Sequence, residues 1–438
     1  MATKTYTITE YGSFVRSKES PTAQTEINFG GYKILDFKVF DKLEQFILEN
    51  SEKDSEALDL MGVSVKKNVG RVITAKNYVG VIALNDGTVI EILPKICGED
   101  NVHEVKKLLI KMLRTVQHSP FKSMQISSVN IDKLPIFEIF IRMFVSETFS
   151  VVKRGLKSGY ESVEDNLQVC KGKIDFNKQV RLNYIHKERF YTIYDEFNNN
   201  RPENRLIKST LLYLLKHSAS SKNKTDLKVL LNSFEKVDES TNYDADFANC
   251  TNDRQGYNYQ MLLTWCRVFL KGKSFTSFAG SEVAYALLFP MEKVFESYVA
   301  AQLKRQLNGS EYSVSAQHTA KYLFDTPKKF SLRPDIVIER KSDKSIFILD
   351  TKWKRLNNNH SANYGITQAD MYQMYAYQKK YGENARNVTL LYPLTENAPK
   401  GKIKFISEDG VIVHISCVDL KNIETLSENL KEILETSL

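Results

Sequence analysis

The chain has 438 residues, which is more than one ordinary hydrophobic core organises, so two or three domains are expected. Hydrophobic residues make up 42% of it and charged residues 26%, a composition typical of soluble globular proteins and not of membrane or low-complexity chains. The formal net charge of +8 is compatible with a nucleic-acid partner but is too mild to require one.

Cysteine usage and apolar runs indicate the cellular compartment. Five scattered cysteines without a C-x-x-C pair disfavour a disulfide framework and a zinc ribbon. The N-terminal segment M-A-T-K-T-Y-T-I-T-E lacks the apolar stretch of a signal peptide. The most apolar windows, such as Leu134–Val145, contain charges and are too short to span a bilayer. We therefore expect a cytoplasmic protein without a membrane partner.

Residues 1–133 are predicted to form a β-rich N-terminal domain, in which residues 1–70 are a possible extension. The runs R-V-I-T-A, V-G-V-I-A-L and T-V-I-E-I-L-P-K-I follow one another, and Asn-Asp-Gly at 85–87 is a strong hairpin signal. An amphipathic helix follows, with apolar residues at helical spacing from Val105 to Val116.

Residues 134–280 are predicted to be mostly helical. Two polar stretches, S-A-S-S-K-N-K-T-D and D-E-S-T-N-Y-D-A-D, are predicted to be loops. A basic segment between the first two helices could follow DNA phosphates, but acidic residues interrupt it and a plain solvated surface explains it equally well. Its basic residues are Lys153, Arg154, Lys157, Lys171, Lys173, Lys178 and Arg181.

Residues 281–438 alternate between helical and strand patterns. A helix is predicted from Pro290, followed by the strands D-I-V-I-E and I-F-I-L-D-T-K-W, a second helix and the buried strand N-V-T-L-L-Y-P. The runs K-I-K-F-I and V-I-V-H-I-S extend the same sheet. The whole chain is thus predicted to be a multidomain α+β or α/β protein, with a C-terminal mixed sheet flanked by helices.

The two strands of R-P-D-I-V-I-E-R-K-S-D-K-S-I-F-I-L-D-T-K-W-K bring charged residues together. If the loop is symmetric about Ser342 and Asp343, Asp335 lies directly opposite Asp350, and Lys352 points to the same face. Opposed carboxylates repel, so a divalent cation such as Mg²⁺, which prefers oxygen ligands, would explain the arrangement. A nearby ammonium could orient the attacking water or neutralise the phosphate, and the Thr351 carbonyl is a plausible further ligand.

The D-x-K triplet by itself carries little information. The same pattern occurs at Asp36, Asp226 and Asp419, and charged residues at strand ends are usually only solvated. The surrounding sequence adds weight, because R-P-D precedes the first strand and the second strand is wholly apolar up to Asp350.

R-P-D-I-V-I followed by I-L-D-T-K-W-K resembles the core of the PD-(D/E)xK nucleases. The preceding helix carries V-F-E-S-Y-V, which is similar to the acidic helix of that fold and implies a place near the metal for Glu296, with Glu292 as a competitor one turn earlier. The following helix carries Q-M-Y-A-Y, similar to a Q-x-x-x-Y motif whose members, Gln373 and Tyr377 here, share a helical face and buttress the site or contact DNA.

A wider resemblance, from about Val72 to Pro393, is to the McrC family of nuclease subunits in McrBC-type restriction systems. It rests on V-G-V-I-A-L-N-D-G-T-V-I-E-I-L-P-K-I, R-G-L-K-S-G-Y, K-G-K-I-D-F and Y-D-E-F-N-N-N-R-P-E-N-R-L-I-K. The resemblance implies a phage-defence endonuclease that uses Mg²⁺, with Mn²⁺ as a possible substitute, and cuts double-stranded DNA. It also implies a partner, an AAA+ GTPase of the McrB type that forms hexameric rings and alone binds GTP. The chain has no G-x-x-x-x-G-K-[ST] phosphate loop, in agreement with this division of labour. Near the ends of the N-terminal strands, Lys76, Asn77 and Lys95 could reach this partner's nucleotide site, although ordinary turn residues and a solvated lysine are the favoured interpretation.

Two other functions remain open at the level of sequence. One is a stand-alone PD-(D/E)xK nuclease of DNA repair or recombination, which would cut without a GTPase. The other is a non-catalytic activator that bridges DNA and the partner, although the intact Asp335, Asp350 and Lys352 set argues against a silent site.

Overall fold

A computed structural model gives the fold, and it describes most of the chain. Two compact units are present: Phe137–Tyr285 with Met1–Lys4, and Thr5–Ile136 with Ala286–Leu438, each as far as its residues are described. The second unit therefore contains parts of both the first and the third predicted domains, and the division into three domains stays a prediction. The described residues are 4–17, 31–53, 60–84, 86–96, 102–116, 134–250, 256–271, 284–317, 321–382, 385–399, 403–422 and 434.

The strands are numbered in chain order through the described residues. They are β1 Thr5–Thr9, β2 Ser13–Arg16, β3 Lys33–Leu35, β4 Met61–Lys66, β5 Gly70–Ala75, β6 Tyr78–Leu84, β7 Val89–Leu93, β8 Gly159–Leu167, β9 Lys173–Ile174, β10 Phe190–Asn198, β11 Ala284–Pro290, β12 Tyr312–Ala316, β13 Lys321–Asp325, β14 Lys328–Leu332, β15 Ile336–Arg340, β16 Ile346–Thr351, β17 Ala385–Pro393, β18 Ile403–Ile406 and β19 Ile412–Val418.

The helices are numbered in the same way. They are α1 Phe37–Lys53, α2 Val102–Leu113, α3 Ile136–Arg154, α4 Phe176–Leu182, α5 Pro202–His217, α6 Ser221–Ser233, α7 Tyr243–Asn249, α8 Gly256–Lys271, α9 Met291–Gln306 and α10 Gln368–Tyr381, with a short 3₁₀ segment at His360–Gly365. None of the described helices combines the length and the apolar character needed to cross a membrane.

The N-terminal part of the second unit is β-rich, as predicted. One sheet has the order β3-β2-β5-β4 and another the order β1-β7-β6-β11. The predicted hairpin joins β6 and β7 in antiparallel register, with Gly87 at φ +87° and the Asp86 carboxylate accepting from the Thr88 backbone amide at 2.8 Å. Asn85 lies outside the described residues.

Gly80, in β6, marks a close approach between two strands. Its φ is +135°, and a Cβ placed on it would lie 2.0 Å from the carbonyl oxygen of Leu287 in β11. Only glycine accommodates both the backbone conformation and the lack of space. This contact joins the N-terminal sheet to the strand that leads directly into α9.

The first unit is mostly helical, and it also contains a sheet. A three-stranded sheet of order β8-β10-β9 interrupts the helices, and β8 and β10 pair along nine residues each. Both strands carry many polar residues and are half-exposed, so they lack the apolar alternation that identifies a strand from sequence.

Both predicted loops in this unit are partly wrong. The polar stretch at 218–226 contains the start of α6, where the Ser220 side chain accepts from the Asn223 amide. The stretch at 238–246 likewise contains the start of α7, capped by Asn242. Serine and asparagine favour turns and helix N-caps for the same reason, because their side chains bond to nearby backbone groups.

The C-terminal part of the second unit contains a six-stranded mixed sheet of order β12-β15-β16-β17-β19-β18. Pairing is antiparallel at β12–β15, β15–β16 and β18–β19 and parallel at β16–β17 and β17–β19. Ile336 pairs with Leu349 and Glu339 with Ile346, which confirms the hairpin register predicted from sequence. Met374 and Tyr377 of α10 pack into the core on Ile348 of β16.

Substitution of Gly80 by alanine tests the close approach of β6 to β11. We expect the overlap of the new Cβ with the Leu287 carbonyl to lower the free energy of unfolding by roughly 3 kcal/mol or more. Gly87→Ala is the matched control, since Gly87 also has a positive φ but no heavy atom within 4 Å, and backbone strain alone costs about 1 kcal/mol. Urea unfolding measures both, and equal losses would contradict the close contact.

Candidate active site

Asp350 and Lys352 form the centre of the site at the end of β16. The strand is apolar up to Asp350, and the Asp350 side chain is buried, with 1% of its surface exposed. The Lys352 ammonium donates to Oδ2 of Asp350 and, at 3.1 Å, to Oε1 of Gln373. A buried carboxylate is thus held by an ion pair whose lysine has a second acceptor.

Asp335 lies directly before Ile336, the first residue of β15. Its carboxylate is fixed by hydrogen bonds from Thr351 of the neighbouring strand, β16. Its Oδ2 accepts from the Thr351 backbone amide at 2.7 Å and from the Thr351 hydroxyl at 2.6 Å. Thr351 therefore has an orienting role that the sequence analysis missed. The predicted role of its carbonyl oxygen as a metal ligand stays a prediction.

Helix α10 supplies the polar residues on the other side of Lys352. The helix begins with a capping box in which Thr367 and Asp370 bond reciprocally, and this fixes its first turn. One turn further, the Gln373 amide nitrogen lies 2.7 Å from the Tyr377 hydroxyl and 3.4 Å from Asp350 Oδ1. Gln373 thus connects the lysine, the aspartate and the buried Tyr377, as members of one helical face can.

Helix α9 brings two glutamates to the same pocket, and they face different groups. Burial, then the charges of Asp335 and Asp350, raise the pKa of Glu296 to about 7. Glu292 instead adds to the effects of burial and Glu10 that raise the pKa of Tyr11, on the N-terminal side. The electrostatic coupling to both aspartates favours Glu296 as the helix acid.

The carboxylate charges in the pocket are only partly compensated by positive charge. Burial and the Asp335 carboxylate raise the pKa of Asp350 to about 7, in spite of the opposing effect of Lys352. Although burial lowers the pKa of Lys352, the Asp350 charge outweighs it, and the pKa of the ammonium lies above its usual value. Lys352 is therefore a cation and a hydrogen-bond donor in this arrangement, and not a base.

The pocket suits a divalent cation that retains water and phosphate ligands. It has a volume of about 410 Å³. Among the described residues, no three side chains of His, Cys, Asp and Glu form a ready-made metal site. Mg²⁺ does not require one, because it is commonly held by one or two carboxylates together with water and substrate phosphate. The residues lining the pocket are Glu292, Lys293, Glu296, Asp335, Asp350, Thr351, Lys352, Trp353, Lys354, Asp370 and Gln373.

A buried contact behind the site links it to the N-terminal strands. The indole Nε1 of Trp353 donates to both carboxylate oxygens of Glu10, at 3.0 and 2.9 Å, and Glu10 also accepts from the Lys95 amide at 3.2 Å. The Trp353 ring lies 5.3 Å from that of Phe295 in α9. Trp353 is a core residue, as predicted, but its partner Glu10 is 343 positions away and no local signal identifies it.

The structure places the N-terminal candidate residues against the chain itself. The Lys95 ammonium lies 4.2 Å from the centre of the Tyr11 ring. The Asn77 carbonyl accepts from the amide of Met291, and the Lys76 amide donates to the Leu60 carbonyl. A role for these residues in partner contact stays a prediction.

Part of the basic segment in the first unit is unavailable to phosphate. Lys157 is buried and pairs with the buried Glu203 at 2.8 Å, so neither of the two interpretations, phosphate contact or a solvated surface, holds for this residue. Lys178 pairs with Glu164, and the Lys171 ammonium lies 3.8 Å from the centre of the Tyr194 ring.

Residues 73–393 match the family described as McrBC 5-methylcytosine restriction system component. The protein thus falls in the class of restriction system components. Since the match covers well over half of the chain, the chain belongs to the McrBC family.

Known proteins that are similar to the chain include the following two. The chain is 19% identical over 330 residues to the type IV methyl-directed restriction enzyme EcoKMcrBC of Escherichia coli K12. The aligned region covers 70% of this chain and 93% of that protein. Its fold resembles a chain in the refined half-complex of Thermococcus gammatolerans McrB AAA+ hexamers with bound McrC, with a TM-score of 0.68 and 19% identity over 99% of this chain and 100% of that one. At this identity the second likeness shows a shared fold.

The buried Glu10 makes the stability of the second unit dependent on pH. Burial raises the pKa of Glu10 from 4.5 to about 7, so between these values the unfolded chain releases a proton that the folded chain keeps. The stabilisation is complete below pH 4.5 and is lost as the pH rises through 7, which costs at most about 3 kcal/mol.

We expect the melting temperature of the wild type to fall between pH 5 and 8 more steeply than that of Glu10→Gln, which cannot ionise. Differential scanning calorimetry of both proteins in chelator measures the two slopes. The comparison uses slopes because the variant also alters the hydrogen bond to Trp353. Parallel slopes would mean that Glu10 is already ionised at pH 5.

Proposed function

We propose that the chain is the Mg²⁺-dependent DNA endonuclease subunit of its restriction system, with a PD-(D/E)xK nuclease core. The observation that carries the proposal is the joint placement of Asp335, Asp350 and Glu296 around a pocket that also holds Lys352. Two of these carboxyl groups have a pKa raised to about 7 by burial and by the neighbouring acids. Perturbed acids in a cleft are typical of catalytic sites.

Asp335 and Asp350 would hold the metal ion, with Glu296 and the Thr351 carbonyl as further ligands. The bound ion would lower the pKa of a water ligand and stabilise negative charge on the phosphate. Mn²⁺ has similar ligand preferences and is a possible substitute. The chain's own contribution is to orient Asp335 through Thr351 and to keep Asp350 in a buried, preorganised position.

Lys352 would orient the attacking water or neutralise the phosphate. Its raised pKa keeps it protonated, so it supplies positive charge where negative charge develops. Gln373 holds the lysine from the other side, and Tyr377 in turn holds Gln373. Such outer contacts fix the direction of the groups that touch the substrate.

Cleavage by this subunit would depend on an AAA+ GTPase partner of the McrB type. The support is membership of the McrBC family and the fold shared with a complex of McrB AAA+ hexamers with bound McrC. GTP would be bound by the partner ring, and double-stranded DNA would be the substrate.

Asp350→Ala tests the nuclease assignment. We expect it to abolish plasmid cleavage, because the substitution removes a proposed metal ligand. Stimulation of the partner's GTPase should stay intact, because the GTP would be bound by the partner and not at this site. Gel analysis of cleavage and phosphate release from GTP measure the two activities. Asp343→Ala, in the exposed turn of the same hairpin, is the control and should cut normally. Retained cleavage by Asp350→Ala would refute the assignment.

Gln373→Ala tests the outer contact to Lys352. We expect cleavage to slow by roughly 10- to 100-fold, because the lysine loses an acceptor that fixes its direction. The same substitution at Gln368, an exposed residue on the first turn of the same helix, is the matched control. Single-turnover cleavage rates of the two variants are compared. Equal rates would show that Gln373 does not position Lys352 for cleavage.

A further inference from the structure

The β13–β14 hairpin projects from the nuclease region without joining its six-stranded sheet. Two contacts anchor it. Asp325 pairs with Lys380 of α10 at 2.8 Å, and Leu332 packs against the core beneath the same helix. The hairpin thus rests on the helix that carries Gln373 and Tyr377.

The other side of the hairpin exposes two aromatic rings. Phe324 is 55% exposed and Phe330 is 72% exposed, and their ring centres lie 5.9 Å apart in an edge contact. Phe330 also has a φ of +59°, a strained conformation for a bulky residue. Exposure and strain at one phenylalanine bring no stability to the free protein, and such costs are concentrated at functional positions.

The hairpin that carries these rings is basic. Lys329 is the pairing partner of Phe324, so both side chains project from the same face. Lys321, Lys328 and Arg333 are exposed elsewhere on the hairpin and directly after it, and the one acidic residue between 321 and 333, Asp325, is already paired with Lys380. Exposed aromatic rings on a basic hairpin suit a nucleic acid, whose phosphates are negatively charged and whose stacked bases have apolar faces.

The hairpin is close to the candidate active site. Lys329 precedes Asp335 by six positions, a span of at most about 22 Å for extended chain. At about 3.4 Å per base pair, this span corresponds to roughly six base pairs of duplex. A duplex whose phosphate occupies the pocket is therefore long enough to reach Lys329.

We propose that the outer face of this hairpin, formed by Phe324, Lys329 and Phe330, binds duplex DNA beside the cleavage site. Lys329 contacts a backbone phosphate, and the two phenylalanines enter a groove and wedge against a base step, as apolar side chains of groove-binding proteins do. The inference rests on the proposed nuclease function and adds the element that holds the substrate next to it.

DNA binding by the full chain, measured by fluorescence anisotropy with a 30-base-pair duplex in EDTA, tests this role without cleavage. We expect Lys329→Ala to raise the Kd roughly five- to tenfold at 0.1 M salt and to reduce the slope of log Kd against log salt by about 0.9, because one phosphate contact is lost. Phe324→Ala/Phe330→Ala should raise the Kd about tenfold or more and leave the slope unchanged.

Lys404→Ala/Ile406→Ala is the matched control, because it removes an exposed lysine and a 60% exposed apolar residue from β18, an edge strand of the six-stranded sheet that the hairpin does not join. It should bind DNA as the wild type does. Unchanged binding by the hairpin variants, equal losses in the control, or no binding by the wild type at 50 mM salt would each overturn the proposal. Hairpin variants that bind DNA normally but fail to bind the GTPase would identify a protein-docking surface instead.

The outcome for the hairpin is separable from that for the nuclease. Loss of binding in the hairpin variants, in a protein that never cleaves DNA, would support the DNA contact and refute the endonuclease. Normal binding by the hairpin variants, in a protein whose cleavage requires Asp350, would refute the DNA contact and leave the endonuclease in place.

Discussion

The candidate site depends on the burial of one carboxylate beside another. Asp350 is almost fully enclosed, and Asp335 raises its pKa beyond what burial alone does. Two like charges in such a place cost free energy unless a cation or a proton is shared with them. Lys352 supplies part of the compensation, and Gln373 and Thr351 fix the directions of the groups. The same imbalance that destabilises the free site would favour a divalent cation.

The site also depends on residues far away in the chain. The second unit combines N-terminal strands with the C-terminal sheet, and buried contacts join them. Glu10 bonds to Trp353, immediately after Lys352, and Gly80 allows β11 to approach β6 just before α9 begins. The segment directly after β16, which carries Lys352, and the helix that carries Glu296 are therefore both in contact with the N-terminal strands or with β11 beside them. A stable N-terminal sheet is thus a condition for a well-ordered site.

Much of the site was predictable because its signals are local. The symmetry of the loop between two apolar runs gave the hairpin register, and the strand pairing confirms it. The order of the helices around it and the Q-x-x-x-Y spacing placed Gln373 and Tyr377 together. Membership of the McrBC family confirms the resemblance found in the motifs.

The features that sequence missed have other causes. Strands β8 and β10 are polar and half-exposed, so no apolar period marks them. The residues that begin α6 and α7 favour turns and caps alike. Glu10 and Trp353 are 343 positions apart and meet only in the folded chain, so no local sequence pattern predicts their contact.

Metal binding tests the central claim most directly. Titration of the full chain with Mn²⁺, followed by electron paramagnetic resonance, should show binding that weakens as the pH falls below about 7, because protons and metal compete for Asp350 and Glu296. Asp335→Asn should weaken that binding strongly, whereas Asp343→Asn should not. Equal Mn²⁺ binding by the wild type and Asp335→Asn, or binding without pH dependence, would contradict the account.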